Sequence, residues 1–258
     1  MSYPMSWFLF LLLTLTGGSA FTQVQYIGNA ISAADHRRKQ PLQDALDAGF
    51  AGVSVDVTLN KDGKLKCGSG LFDELYLKPL EKRIDLNKGW VYPDKPEEFL
   101  LILRINGDSI RSFNALHSML EAYPGILTKY TGTVRSKKAV KVIISGEIPR
   151  KELSSKATRF CTTDEPIQSM AKQFDGTVTS MATLNFAKEY NWSGDGNMTN
   201  TEFYSLTTFV KLAHKAGRIV RVSRLPEKKN AFNLLAGAGV DFFEVTDIEN
   251  FITYFRNK

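Results

Sequence analysis

The stretch AGVSVDVTL, residues 51–59, has valine at alternate positions and small or polar residues between them. This pattern is typical of a buried strand in a parallel sheet or barrel. Asp56 is its single carboxylate, and a buried ionised acid must be paired, hydrogen-bonded or bound to a metal, because an uncompensated buried charge is very unfavourable. The alternative is a strand-end aspartate that reaches water beside Thr58. The sequence on either side of the stretch decides between these interpretations.

Strand-like and helix-like segments alternate on both sides of this stretch. Strands are predicted at 26–31, 99–105, 140–145, 158–161, 177–181, 219–222 and 241–245, and helices at 41–48, 110–122, 201–216, 229–236 and 248–255. A hairpin arm is predicted at 65–68, and a helical turn at 75–80 lies in an otherwise irregular segment. This alternation, without an internal linker, predicts an α/β chain with the (β/α)8 TIM-barrel fold. Functional groups are then expected at the carboxyl ends of the strands.

The first 20 residues differ from the rest of the chain. An apolar run at 7–13 is followed by small residues that end at Ala20, although no basic residue precedes the run. The run is too short to span a bilayer, so it predicts a signal peptide cleaved after Ala20. Residues 21–258 are predicted to form a single barrel domain without a transmembrane segment. The mature protein is therefore expected to be secreted.

Two sequons and two cysteines belong to this extracellular interpretation. The sequons begin at Asn191 and Asn197, in a stretch rich in Gly, Asn and Ser that predicts an exposed, glycosylated loop. Cys67 and Cys161 allow one disulfide in an oxidising compartment, and two buried free thiols are the alternative. As a nucleophile Cys67 would need a neighbouring base, and none is visible nearby in the sequence.

The charge of the chain restricts its partners only in general terms. With 33 basic and 27 acidic residues, the net charge is +6, and the basic residues are spread along the sequence. This balance favours an anionic ligand or an acidic extracellular surface as partner. The sequence lacks the basic stretches interleaved with aromatic residues that are typical of nucleic-acid binding, so no nucleic-acid partner is expected.

Ten short phrases are spread along almost the whole chain after residue 20. They are AADHRRKQPL (33–42), DAL (44–46), GFA (49–51), VDV (55–57), LYLKPL (75–80), VYP (91–93), VIISG (142–146), Pro149, GRIVR (217–221) and AGVD (238–241). These phrases resemble the phospholipase C-like phosphodiesterases, in the branch that contains bacterial glycerophosphodiester phosphodiesterase-like proteins and the fungal altered-inheritance-of-mitochondria proteins. The resemblance implies a TIM barrel of the phospholipase C-like phosphodiesterase type.

The resemblance also implies a reaction, which is metal-assisted cleavage of a phosphodiester by two histidines around a divalent ion held by carboxylates. The corresponding positions hold residues that can neither transfer protons near neutral pH nor bind a divalent metal strongly. They are Ala33 and Ser69 in place of the two histidines, Ser54 in place of a metal-binding glutamate, and Leu103 and Ile105 in place of a carboxylate and a lysine. Of the metal ligands only Asp56 is retained. Arg221, near the end of a late strand, is also retained and is expected to be available to an anion.

One carboxylate is too few for Mg²⁺ or Ca²⁺, which take several oxygen ligands, and serine does not titrate near neutral pH as imidazole does. We therefore expect no cofactor and a catalytically inactive barrel that acts as a binding or extracellular structural protein. The alternative is a metal-dependent phosphodiesterase with a rearranged site, acting on a glycerophosphodiester or a lysophospholipid with Mg²⁺ or Ca²⁺. A component of the extracellular matrix is a third interpretation.

Three histidines remain as candidates to restore the chemistry. His36 lies three residues after Ala33, but its neighbours Arg37 and Arg38 favour a solvated loop position. His117 and His214 fall in helices predicted to coat the barrel, where a structural role is expected.

Overall fold

The computed structural model describes residues 24–166 and 178–256. Its centre is a closed barrel of eight parallel strands, and the strand order closes because the first strand pairs with both the second and the last. We number them in chain order as β1 (Ile27–Ser32), β2 (Phe50–Leu59), β3 (Phe99–Asn106), β4 (Val140–Gly146), β5 (Cys161–Pro166), β6 (Thr179–Asn185), β7 (Ile219–Ser223) and β8 (Phe242–Val245). The predicted (β/α)8 fold is confirmed.

Helices connect the strands on the outside of the barrel. They are α1 (Gln43–Asp47), α2 (Lys78–Leu86), α3 (Ser109–Leu120), α4 (Arg150–Ser155), α5 (Phe186–Glu189), α6 (Asn200–Lys215), α7 (Lys229–Gly237) and α8 (Ile248–Arg256). None of the described helices combines the length and the apolar character that crossing a membrane would require. The expected signal peptide at 1–20 lies outside the described residues.

Alternation along each strand produces two apolar cores. In β2, the buried residues Val53, Val55 and Val57 belong to the large core between strands and helices, whereas Ser54 and Asp56 point into the barrel. A second, smaller core plugs the inside of the barrel and consists of Ile31, Leu100, Ile102, Ile143 and Met181. Inward-facing side chains at the carboxyl ends of the strands therefore pack on top of this apolar cluster.

Two segments differ from the sequence prediction. The barrel strand β5 begins at Cys161, whereas Thr158–Arg159 pairs with Lys129–Thr131 in a small outer sheet, so the strand predicted at 158–161 was misplaced. The pattern of β5 did not predict a strand there, because Thr163 and Glu165 on one face and Thr162 and Asp164 on the other are all polar and leave no apolar alternation. The segment predicted as a short helical turn instead continues through a π-helical turn at Asp73–Leu77 into α2.

A hairpin arm follows β2, as predicted. Leu65–Cys67 runs antiparallel to the end of β2 and Gly70–Leu71 returns beside it. The arm brings Gly68 and Ser69 to its tip, and Gly68 adopts a φ of +55°. A Cβ on Gly68 would lie 2.5 Å from the carbonyl oxygen of His36, so the arm packs directly against the loop that follows β1.

Candidate functional site

The carboxyl ends of the barrel strands form a polar surface that we call the barrel mouth. Its inward-facing side chains are Asp56 of β2, Arg104 of β3, Asp164 of β5, Thr183 of β6, Arg221 of β7 and Glu244 of β8. They form two groups, one around each arginine. Two arginines face three carboxylates, so these side chains together carry one negative charge when all five ionisable groups are charged.

The first group is a bidentate pair between neighbouring strands. Asp56 and Arg104 lie directly opposite each other in the β2–β3 register. The Nε of Arg104 donates to Oδ1 of Asp56 at 2.7 Å, and Nη2 donates to Oδ2 at 2.5 Å. These hydrogen bonds raise the pKa of Arg104. The expected compensation of the Asp56 charge is thus provided by a guanidinium, in the fork geometry that makes such pairs strong.

The second group surrounds Arg221 and is almost completely buried. Nη2 of Arg221 donates to Oδ2 of Asp164 at 2.8 Å, Nε donates to the hydroxyl of Thr183 at 3.0 Å, and Nη1 lies 3.4 Å from Oε1 of Glu244. Burial alone would lower the pKa of Arg221, but Glu244 and Asp164 outweigh it and the pKa is raised. Arg221 was predicted to be available to an anion, and this arrangement does not favour that prediction, because two carboxylates already neutralise its charge.

His36 lies at the edge of the barrel mouth. Its Nδ1 accepts the backbone N–H of Asp56 at 3.2 Å, so the neutral ring carries its proton on Nε2. Burial lowers the pKa of His36, an effect that the nearby Asp56 carboxylate opposes. The expectation of a solvated loop residue was wrong, because the hairpin arm and β2 hold the loop in place. His117 and His214 lie on α3 and α6, as predicted, outside the barrel.

Asp35 fixes the loop that presents His36. Its buried carboxylate accepts hydrogen bonds from Ser32 Oγ at 2.6 Å, the backbone N–H of Leu42 at 2.6 Å and the hydroxyl of Tyr76 at 2.9 Å. Burial raises the pKa of Asp35, although each of these donors acts in the opposite direction. Asp35 is therefore a structural anchor between β1, α1 and the segment before α2.

The positions at which the resemblance implies catalytic residues are only partly brought together. Ser54 points into the barrel two residues before Asp56 on β2. Ala33 lies in the loop after β1, and Ser69 lies at the exposed tip of the hairpin arm. Leu103 and Ile105 do not belong to the site, because both are buried in the core between barrel and helices. Arg104, between them, is the residue of β3 that faces the mouth.

Of the two alternatives for the cysteines, the structure has two buried free thiols and not a disulfide. Cys67 and Cys161 are both buried and both free, so the structure contains no disulfide between them. Burial raises the pKa of each thiol to about 12. A protonated, buried thiol is a poor nucleophile, which argues against a catalytic role for Cys67.

The donor set at the mouth does not fit a divalent metal. Within the described ranges, no three His, Cys, Asp or Glu side chains are grouped so that they could hold an ion. Both oxygens of Asp56 are engaged by Arg104, and both oxygens of Asp164 accept the hydroxyl of Thr183. Mg²⁺ and Ca²⁺ require several free oxygen ligands. This arrangement of donors therefore supports no metal-dependent step.

A cavity adjoins the Asp56–Arg104 pair. It has a volume of about 580 Å³ and is lined by the ends of β2 and β3 and the start of α3, including Thr58, Asn106, Lys61, Arg111 and Asp108. Thr58 and Asn106 lie opposite each other, one alternation beyond Asp56 and Arg104, and so share their face. The cavity provides hydroxyl, amide and cationic groups just beyond the half-exposed Arg104, which does not itself line it.

Three residues of the mouth, Arg104, Asp164 and Glu244, were not predicted from the sequence. Arg104 and Glu244 are each the one charged side chain of their strand, which is the signal that was recognised only at Asp56, whereas Asp164 is followed by Glu165 in β5. Counting alternate positions from the valines of β2 identifies the inward positions of that strand only. The facing positions of the neighbours depend on the strand register, which the sequence does not specify.

Comparisons with known proteins give the fold a context. A protein assigned as a glycerophosphodiester phosphodiesterase from Galdieria sulphuraria superimposes with a TM-score of 0.53 at 10% identity, over 90% of this chain and 97% of that chain. Glycerophosphodiester phosphodiesterase from Agrobacterium tumefaciens str. C58 superimposes with a TM-score of 0.49 at 10% identity, over 90% of this chain and 100% of that chain. No protein-family model and no curated protein matches the sequence.

The Galdieria similarity defines the class of barrel. The chain has a (β/α)8 fold of the glycerophosphodiester phosphodiesterase type, as the sequence resemblance implied. At this identity the similarity concerns the fold, and one barrel fold supports many activities. The function has to be argued from the residues of the mouth.

Proposed function

We propose that this chain is a secreted, catalytically inactive phosphodiesterase-like barrel that binds an anionic ligand in the cavity beyond the ends of β2 and β3. The observation that carries the proposal is the bidentate pair in which Arg104 engages both oxygens of Asp56. A guanidinium thereby neutralises the carboxylate that would otherwise contribute to a metal site. Ser54 and Ser69 stand where the resemblance implies a second metal ligand and a proton-transfer residue, and neither serves in that role.

The charge distribution supports an anion as the ligand. Arg221 is enclosed by carboxylates, but the Arg104 side chain is 51% exposed and retains guanidinium N–H groups beyond those donated to Asp56. Lys61 and Arg111 add positive charge in the adjoining cavity, against the single carboxylate of Asp108. A phosphate, a sulfate or an acidic glycan presents the acceptor oxygens that these donors require.

Secretion and glycosylation form part of the proposal. They rest on the apolar run at 7–13 and on the sequons, whose Asn191 and Asn197 side chains are exposed in the loop before α6. The mass of protein secreted from eukaryotic cells, before and after enzymatic removal of N-glycans, tests this part.

The alternative function is a metal-dependent phosphodiesterase with a rearranged site, acting on a glycerophosphodiester or a lysophospholipid. His36 favours this alternative, because a neutral imidazole near Asp56 could transfer protons near neutral pH. It would also require Asp56 to leave Arg104 and bind Mg²⁺ or Ca²⁺.

The decisive experiment is calorimetric titration of Mg²⁺ and Ca²⁺ into the purified protein and into Asp56→Ala. Hydrolysis of glycerophosphocholine and bis(4-nitrophenyl) phosphate is assayed on the same samples. We expect no saturable metal binding and no turnover, because the Asp56 oxygens are occupied. Metal-dependent turnover that disappears in Asp56→Ala would overturn the inactive-barrel proposal.

Titration of inorganic phosphate and sulfate tests the binding part separately. Arg104→Met and Lys61→Met should weaken binding, whereas Lys66→Met, an exposed lysine on the same hairpin arm, should not. Binding should also weaken as salt rises, since exposed charges are screened. Equal affinities of the Lys61 and Lys66 variants would contradict an anion site in this cavity.

A further inference from the structure

A second cavity system lies at the opposite end of the barrel from the mouth. Two adjoining cavities of about 710 Å³ and 550 Å³ share Leu86, Asn87 and Pro93 in their walls. Val24 and Tyr26, which precede β1, line the larger cavity together with Lys95, which precedes β3. These residues place the cavities at the amino-terminal end of the strands. We call the combined feature the basal groove.

One face of α2 forms the floor of the basal groove. Pro79, Lys82, Arg83 and Leu86 recur at helical spacing and all line the larger cavity. Leu86, at the end of the helix, is 74% exposed. Leu86 is not isolated, because Val24, Pro79 and Pro93 line the same cavity, and a contiguous apolar surface of this kind is typical of a binding site.

The opposite wall is aromatic and rigid. The rings of Tyr26 and Tyr92 have centroids 5.2 Å apart, and the hydroxyl of Tyr92 donates to the carbonyl of Phe50 at 2.7 Å. Trp90 lines the smaller cavity and packs against the main core. Because tertiary contacts hold these rings, the apolar wall exists before any ligand arrives.

The rim of the groove is cationic. Among the residues that line the two cavities, the ionisable side chains of Lys, Arg, Asp and Glu type are Lys82, Arg83, Lys88, Lys95 and Asp94. The amino group of Lys137 adds a further positive charge 5.4 Å above the ring of Trp90. Five cations, the four that line the cavities and Lys137, face one carboxylate, and this excess attracts an anionic head group to the edge of an apolar channel.

We propose that the basal groove binds a single-chain anionic amphiphile, with its hydrocarbon chain between α2 and the aromatic wall and its head group among the lysines. The cavity volumes fall within the roughly 300–1,000 Å³ that is usual for small-molecule sites. A free inorganic anion would leave the apolar walls unused. A neutral amphiphile would leave the cationic rim without a counter-charge.

The test compares three probes below their micellar concentrations by calorimetry with the purified protein. Dodecyl phosphate carries both chain and charge, inorganic phosphate carries the charge alone, and dodecyl maltoside carries the chain alone. We expect dodecyl phosphate to bind at least about tenfold more tightly than either other probe, since both the apolar and the ionic contacts contribute. Equal binding of inorganic phosphate would overturn the proposal, as would the absence of dodecyl phosphate binding.

Matched variants locate the site. Leu86→Asp and Lys82→Glu should each weaken dodecyl phosphate binding by about tenfold or more, because each places a negative charge in the groove. Leu212→Asp is the control, since Leu212 is 55% exposed on α6 and does not line the groove. Binding equally weakened by the control, or binding only to anionic vesicles and not to monomeric dodecyl phosphate, would also overturn the proposal.

Discussion

Arg221 and Arg104 both pair with aspartates at the barrel mouth, but they differ in burial. The side chains of Arg221 and Asp164 are 6% and 5% exposed, against 51% and 21% for Arg104 and Asp56. Arg221→Met leaves Asp164 and Glu244 close together without their cation. We expect this variant to lose roughly 3–5 kcal/mol of unfolding free energy, because it leaves buried charge uncompensated.

Arg104→Met is the matched variant at the solvated pair. It should cost about 0–1 kcal/mol, since water screens the carboxylate that remains. Urea denaturation of both variants measures the difference. Equal losses of unfolding free energy in the two variants would mean that the two ion pairs are equally desolvated, contrary to their different exposure.

Lys141 is a buried cation at the amino-terminal end of the barrel. It alternates with Val140 and Val142, which face the helices, so its side chain enters the barrel from below the apolar plug. Burial lowers the pKa of Lys141 from 10.5 to about 8. Burial makes the charged ammonium form of Lys141 less favourable in the folded protein than in the unfolded chain. The free energy of unfolding is therefore lower at any pH at which the lysine is protonated.

Replacement of Lys141 should therefore stabilise the protein at pH 7. The pKa change from 10.5 to about 8 corresponds to roughly 3 kcal/mol, which Lys141→Met should recover in part because methionine keeps the apolar stem. Between these two pKa values the unfolded chain binds more protons than the folded protein, so the stability of the parent protein should rise with pH relative to Lys141→Met.

Urea denaturation at pH 7 and pH 10 measures this difference. The control is Lys129→Met, which replaces an exposed lysine of the outer sheet. No relative change with pH would show that Lys141 is solvated.

At the scale of elements, the hairpin arm and the loop after β1 form one unit. Gly63 and Gly68 both have positive φ, but a Cβ on Gly63 meets nothing within 4 Å, whereas one on Gly68 would meet the backbone of His36 at 2.5 Å. Gly63→Ala should cost about 1 kcal/mol from backbone strain alone. Gly68→Ala should cost roughly 1–3 kcal/mol more, because the arm must move away from His36.

Denaturation gives the two stabilities, and nuclear magnetic resonance of the His36 ring reports its hydrogen bond to the Asp56 backbone. We expect the ring signal to shift in Gly68→Ala and to stay unchanged in Gly63→Ala. If the two variants are equally stable, the arm does not support the loop.

At the scale of the whole molecule, closure of the barrel should make its unfolding cooperative. Cys67 on the hairpin arm and Cys161 in β5 are distant in sequence but are buried in the same core. Because burial raises the pKa of each thiol to about 12, neither should react with a thiol reagent in the native state at pH 8. Both should react at one common rate, set by global opening, as denaturant is added. Mass spectrometry of the labelled protein measures each rate, and faster labelling of Cys67 would show that the arm opens alone.

Sequence alone determined the fold class and the importance of Asp56. The strand–helix alternation specifies parallel strands, and the valines of β2 specify which of its faces is buried, because both patterns are local. Asp56 was identified because a lone carboxylate among valines needs a partner. The sequence alone also shows that Ala33, Ser54 and Ser69 occupy the positions at which the resemblance implies histidine or glutamate.

Only the tertiary structure decided what surrounds Asp56. Its partner Arg104 lies 48 residues away in sequence, and the register between β2 and β3 places it, not Leu103 or Ile105, at the mouth. Arg221 is neutralised by Asp164 from β5, which is two strands away, and by Glu244 from the neighbouring β8. His36 is positioned by an arm that follows another strand. Pairing between strands depends on contacts distant in sequence, and a shift of one residue exchanges the two faces of a strand, so local patterns could not specify these partners.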